Sequence, residues 1–290
     1  MATLAQWVAG ARPRTLPAAV APVLVGTGAA AAVGRANLGF ALLALIVSLA
    51  LQVGVNYAND YSDGIRGTDA ARVGPVRLVG QGLARPDNVR FMALASFGVA
   101  GVAGLGLVAA SGTLPLLLVG ALAVVAAWRY TGGSNPYGYR GLGEIYVFVF
   151  FGLVATLGTT YTQAHTLTLA SVLGACGVGA LASAILVANN LRDIPGDTVA
   201  GKRTLAVRLG DRGTRALYVT LVVLAFAFVG YAARTTTWAL LALAALPLAA
   251  REIRRVLGGA KGRDLIPVLA GTGLLQLAYA ALLTTGLTLT

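Results

Sequence analysis

Runs of roughly 20 apolar residues recur nine times along this chain, over approximately 14–33, 38–59, 91–111, 114–130, 142–161, 168–190, 215–233, 236–251 and 264–287. A stretch of that length crosses a bilayer as a helix, because in hydrocarbon each backbone N–H and C=O must find its partner within the segment. Of the 290 residues 57% are hydrophobic and 11% charged, so no stretch remains from which a soluble domain could be assembled. The expected fold class is all-α: a polytopic membrane protein whose residues 1–290 form a single transmembrane domain in the lipid bilayer.

The connections orient these spans. With the N-terminus inside, all 22 basic residues except Arg35 and Arg234 fall on the inner side, and an odd number of crossings leaves the C-terminus outside. All ten acidic residues also fall inside, which the positive-inside rule does not require. Polar chemistry is therefore expected at the cytoplasmic face of the cell membrane. The net charge of +12 is dispersed over loops rather than packed in a stripe, so no nucleic-acid interface is expected. Cys176 stands alone in an apolar run, and His165 falls in an outer loop away from the acids. Nothing in the sequence implies an obligate protein partner or a cleaved leader.

Two runs end in the same pattern. The second ends in NYANDYSDG, with Asn56, Asp60 and Asp63; the sixth ends in NNLRDIPGD, with Asn189, Asp193 and Asp197. Spacings of four, seven and eight residues put each set on one helix face. Pro195 and Gly196 are expected to end the second helix near Asp193, leaving Asp197 in the next turn, while Asp63 leads into a loop. Acids at a helix C-terminus oppose the dipole and need a cation, and hard oxygen donors suit Mg²⁺. Because four spans separate the motifs, both helices run the same way, consistent with a parallel four-helix repeat and a ninth helix appended.

Basic residues follow each motif. Arg66, Arg77, Lys202 and Arg203 stand among glycines near the acids and are candidates for binding a diphosphate. The loop RYTGGSNPYGYRGLGE brings Tyr139 and Arg140 to the same face. Gln52 lies one turn before Asn56 on the same helix face and is a candidate pocket donor. A secondary transporter would place its ionisable residues near the bilayer midplane rather than at one surface, and the chain lacks the DGxxAR-type pattern of CDP-alcohol phosphotransferases.

The stretches RPRTLPAAVAPVLVGTG, NYANDYSDGIRGTD, YGYRGLGE and NNLRDIPGDTVAGKRTLAVRLG together resemble the UbiA superfamily of intramembrane prenyltransferases. They are most similar to its branch that prenylates 1,4-dihydroxy-2-naphthoate in menaquinone synthesis. The resemblance covers nearly the whole chain. It implies nine helices around a central cavity that opens laterally to lipid, with polyprenyl diphosphate and 1,4-dihydroxy-2-naphthoate as substrates. The diphosphate would lie at the cytoplasmic mouth, bridged by Mg²⁺ to Asp60, Asp63, Asp193 and Asp197, with Asn56 and Asn189 assisting. Asp60 and Asp193 would be catalytic, and Gln52, Tyr139 and Arg140 would meet the aromatic substrate. Tyr139 or Tyr146 would face the allylic cation. Prenylation with loss of CO₂ and diphosphate would give demethylmenaquinol; another aromatic acceptor is the alternative within the superfamily. In other branches the third acid stands closer to Asp63 than Asp69 does, so the resemblance does not decide the role of Asp69.

Overall fold

The computed structural model describes residues 2–67, 74 and 76–289. These residues are predominantly helical: α1 (Leu4–Gly10), α2 (Pro17–Ala31), α3 (Leu38–Ile65), α4 (Pro86–Ser111), α5 (Leu116–Arg129), α6 (Gly143–Ala164), α7 (Leu169–Val199), α8 (Leu205–Ala232), α9 (Leu246–Leu257) and α10 (Leu265–Thr288). Among the described residues α3, α4, α6, α7, α8 and the segment Gly262–Thr288 are long and apolar enough to cross a membrane, while α2 and α5 are shorter apolar helices. The apolar run at 236–251 departs most from expectation. It forms a 3₁₀ stretch, Thr237–Ala245, that leads into the 12-residue helix α9, whose last turn carries Arg254 and Arg255.

Helix α3 starts where the Asn37 side chain accepts the Phe40 N–H at 3.0 Å, and it stops before Gly67, whose φ of +70° admits the left-handed region. Asp63 therefore stays on the helix rather than in a loop. Helix α7 likewise runs through Pro195 to Val199, so Asp197 also lies on it. A proline four residues from the helix end deprives only the Leu191 carbonyl of its partner, and the turn survives. Both acid motifs are thus helical to their last residue. Helix α8 starts ten residues before the expected span at 215 and kinks at Gly210, where φ is +67°.

Helix α7 is the central staff. It packs on α8, α6, α10 and α2, while α3 packs on α4. Glycine lets the helices close: a Cβ on Gly152 of α6 would stand 2.5 Å from the Gly179 Cα of α7. At that contact α6 widens into a π-helical stretch, Phe148–Val154. Between α3, α4, α5, α6 and α7 lies a cavity of about 530 Å³. Leu105 of α4 and Leu117 of α5 line its apolar part and are themselves exposed.

Candidate active site

At one end the cavity is polar. Along α3 the residues that reach it are Gln52, Asn56, Asn59 and Asp63, at helical spacings of four, three and four. Asp60 lies one residue off this line and points elsewhere. Its two carboxylate oxygens accept the backbone N–H groups of Leu78 at 2.7 Å and Val79 at 3.0 Å. Asp60 thereby holds the segment after the motif against α3 and sets Arg77, itself buried, in the cavity wall.

On α7 Asn189, Asn190 and Asp197 reach the cavity, and Asp193 turns aside. The Arg192 guanidinium grips Asp193 with both Nε and Nη2 at 2.8 Å, and Nη2 also donates to the Asn189 carbonyl oxygen at 2.8 Å. Arg192 carries no signal in the sequence beyond its place between the motif residues.

The two motifs meet through Lys202. Its Nζ lies 3.1 Å from Asp63 Oδ1, and its backbone N–H donates to the Asp197 carbonyl at 2.8 Å. Gly201, with φ +70°, makes the turn that brings the lysine back over the helix end. The Tyr139 hydroxyl donates to the same Asp63 oxygen at 2.5 Å, and Lys202 Nζ sits 4.6 Å from the Tyr139 ring centroid. The Arg203 N–H donates to the Tyr139 carbonyl at 2.9 Å, which ties the two loops together.

Other expected residues are placed differently. Arg66 lies 5.5 Å from the Tyr139 ring but donates to the Thr131 and Gly133 carbonyls, bracing the loop. The side chains of Arg203 and Arg140 are exposed and do not line the cavity. Gln52 and Asn56 do line it, and they also fasten the N-terminal turn: both donate to the Thr15 hydroxyl, at 2.9 and 3.0 Å, and Asn56 to the Ala11 carbonyl at 2.8 Å. That turn brings Arg12 into the wall. Asp69 lies outside the described residues. Arg12, Asn59, Thr131 and Asn190 were not among the expected site residues. Asn59 differs from Asn56 only by the choice of helical register, and its carbonyl oxygen accepts from Thr131 at 2.8 Å.

Beside the acids, Tyr137 and Tyr146 stack with centroids 3.8 Å apart, and Tyr130 meets Tyr137 edge-on at 5.5 Å. Burial, with the neighbouring Tyr130 and Tyr146, pushes the Tyr137 phenol well above its usual range, so it stays protonated. Among the described residues no group of three or more His, Cys, Asp or Glu side chains converges as a metal site. The oxygen donors facing the cavity, Asn59, Asp63, Asn189 and Asp197, are nonetheless hard ligands of the class that Mg²⁺ takes, and Lys202 supplies the charge opposite Asp63.

Residues 19–265 match the model of the UbiA prenyltransferase family. The chain belongs to that family. It is 55% identical, over 97% of its length and 96% of the relative's, to a 1,4-dihydroxy-2-naphthoate octaprenyltransferase of Mycobacterium tuberculosis. Its fold matches the apo structure of a UbiA homolog from Aeropyrum pernix K1 with a TM-score of 0.67 at 17% identity, covering 94% of this chain and 97% of that one. A UbiA homolog from Archaeoglobus fulgidus bound to GPP and Mg²⁺ gives a TM-score of 0.61 at 14% identity, covering 96% and 99%. As a UbiA prenyltransferase this chain is an integral membrane enzyme.

Proposed function

We propose that this chain transfers a polyprenyl group from its diphosphate to 1,4-dihydroxy-2-naphthoate, releasing CO₂ and diphosphate and giving demethylmenaquinol. The observation that carries this is the near full-length identity to the mycobacterial octaprenyltransferase. The cavity supports it, with a charged mouth, an aromatic wall and an apolar part.

In this reading Asp63, Asn59, Asp197 and Asn189, the oxygen donors that face the cavity, would hold Mg²⁺. When bound, the metal offsets the charge of the departing diphosphate. Lys202, Arg77 and Arg12 face the same space and bind the phosphate oxygens. Asp60 and Asp193 act from behind, Asp60 by fixing the segment that carries Arg77 and Asp193 by fixing Arg192 and Asn189. The Tyr137–Tyr146 stack and Tyr139 present ring faces to the allylic cation, and the apolar walls of α4 and α5 keep water from it. The new bond forms at the ring carbon that bears the carboxylate as the C–O bond to diphosphate breaks. CO₂ then leaves its electron pair in the ring.

The purified chain, given a polyprenyl diphosphate and Mg²⁺, is expected to prenylate dihydroxynaphthoate and to leave 4-hydroxybenzoate essentially unreacted. A preference for 4-hydroxybenzoate, or a naphthoate product that keeps its carboxylate, would defeat the acceptor assignment. The distribution of basic residues supports nine crossings in the cell membrane, with the N-terminus and the mouth cytoplasmic and the C-terminus outside. In a variant lacking Cys176, cysteines at the exposed positions Thr198 and His165 should label from opposite sides of the membrane. Labelling from one side would break that topology.

A further inference from the structure

Next to the acid motif, on the wall between α6 and α7, is a buried polar pair. Glu144 opens α6 and is 7% exposed; Asn190 lies on α7, also 7% exposed, and lines the cavity. The Asn190 amide nitrogen donates to Glu144 Oε1 at 2.9 Å. The nitrogen end of the amide is thus the end that faces Glu144. The amide carbonyl is then the end left for the cavity, and among the described residues no donor is recorded at it. The second oxygen of Glu144 is buried and accepts no hydrogen bond among the described residues. A buried carboxylate kept half-satisfied is costly, and such groups are retained where they hold another group in place.

The surroundings define what Asn190 would meet. Tyr146 stands two residues after Glu144 and stacks on Tyr137, with Tyr130 edge-on. Gly143 lets this wall pack closely: a Cβ on it would lie 3.2 Å from Leu186 and 3.3 Å from Tyr130. Asn190 and Asp197 are seven residues apart on one helix face, so the amide lies about 10 Å along the axis from Asp197, at the level of Asn189. That is a flat, aromatic-walled place with one hydrogen-bond acceptor, beside the Asn189 end of the mouth.

We propose that the Asn190 carbonyl accepts the hydrogen bond of a hydroxyl on the aromatic acceptor, and that Glu144 is the positioning residue that orients and polarises it. The proposal rests on the prenyl-acceptor reading above. Donation from the amide nitrogen to a carboxylate makes the amide oxygen a stronger acceptor. As the ring gives electron density to the allylic cation its O–H becomes more acidic, so this hydrogen bond tightens in the transition state. Asn190 therefore affects both acceptor binding and turnover, while Asn189 beside it serves the diphosphate.

The test compares wild type, Asn190→Ala, Glu144→Gln and Glu144→Leu, as full chains in lipid nanodiscs. Dihydroxynaphthoate and its two mono-O-methyl ethers serve as acceptors. Asn190→Ala and Glu144→Leu should raise the KM for dihydroxynaphthoate and lower kcat, with a combined loss of about 10- to 100-fold in kcat/KM. The KM for polyprenyl diphosphate should stay within about twofold. Glu144→Gln, which still accepts the amide N–H, should recover most of the loss. Wild type should reject one methyl ether, and Asn190→Ala should not distinguish that ether from the parent. Unchanged acceptor KM and ether selectivity in Asn190→Ala, or equal losses for both substrates, would overturn the proposal. Absence of wild-type turnover on dihydroxynaphthoate would instead overturn the acceptor reading. In that event, equilibrium binding of the naphthoate to wild type and Asn190→Ala decides this inference by itself, equal affinities refuting it.

Discussion

At the end of α3 the acid off the cavity line, Asp60, is held by two backbone N–H groups; at the end of α7 its counterpart, Asp193, is held by the fork of Arg192. The inward acids differ as well. Asp63 is gripped by Lys202 and Tyr139, while Asp197 takes the Lys202 backbone on its main-chain carbonyl. One sequence pattern thus serves two frames. A neutral frame loses hydrogen bonds when its acid is removed; an ionic frame strands a buried charge.

The largest effect should follow Asp193→Asn. Both side chains of the Arg192–Asp193 pair are nearly inaccessible, at 2% and 3% exposure, and breaking a buried pair by removing one partner costs about 3–5 kcal/mol. Thermal unfolding in detergent should show a marked loss of Tm, partly restored when Arg192→Gln is added. A smaller loss, about 1–3 kcal/mol, is expected for Asp60→Asn, which keeps one acceptor for two N–H groups. Equal shifts in the two variants would show that the frames do not differ. The smallest effects belong to the exposed Arg140 and Arg203. Alanine at either should leave turnover within about twofold, because their side chains lie off the cavity and the Arg203 contact to Tyr139 is made by its backbone. A tenfold loss would place Arg203 at the diphosphate, or Arg140 at the aromatic substrate, after all.

Much of the fold was legible because hydrocarbon demands long, self-satisfied helices, and the spans at 38–59, 91–111 and 168–190 became α3, α4 and α7. Their polar ends were not legible. Asp63 prolongs α3, and Pro195 fails to end α7, because tertiary contacts hold those last turns against weak local propensity. The run at 236–251 is apolar at its start but coils as 3₁₀, which hydropathy does not distinguish. In the site, Asp63, Asp197, Asn189, Lys202, Arg77, Gln52, Asn56 and Tyr139 all reach the cavity as expected from sequence. Asp60 and Asp193 do not, because alternate residues on an α-helix face different ways, and composition cannot say which of two neighbouring polar residues faces in. Glu144 and Arg192 were missed for a different reason. Glu144 takes its meaning from a partner 46 positions away, and Arg192 from the side chain next to it.

Whether the inward acids hold the metal-bound diphosphate can be read without turnover. The affinity of a non-reactive prenyl thiodiphosphate is measured by equilibrium binding across a Mg²⁺ titration, for wild type, Asp63→Asn and Asp197→Asn. Wild type should bind the analogue only as Mg²⁺ is added, and each variant should lose that dependence together with at least tenfold in affinity. Binding by wild type that is indifferent to Mg²⁺, or full magnesium-dependent affinity in both variants, would contradict a magnesium–diphosphate clamp at the mouth of this cavity.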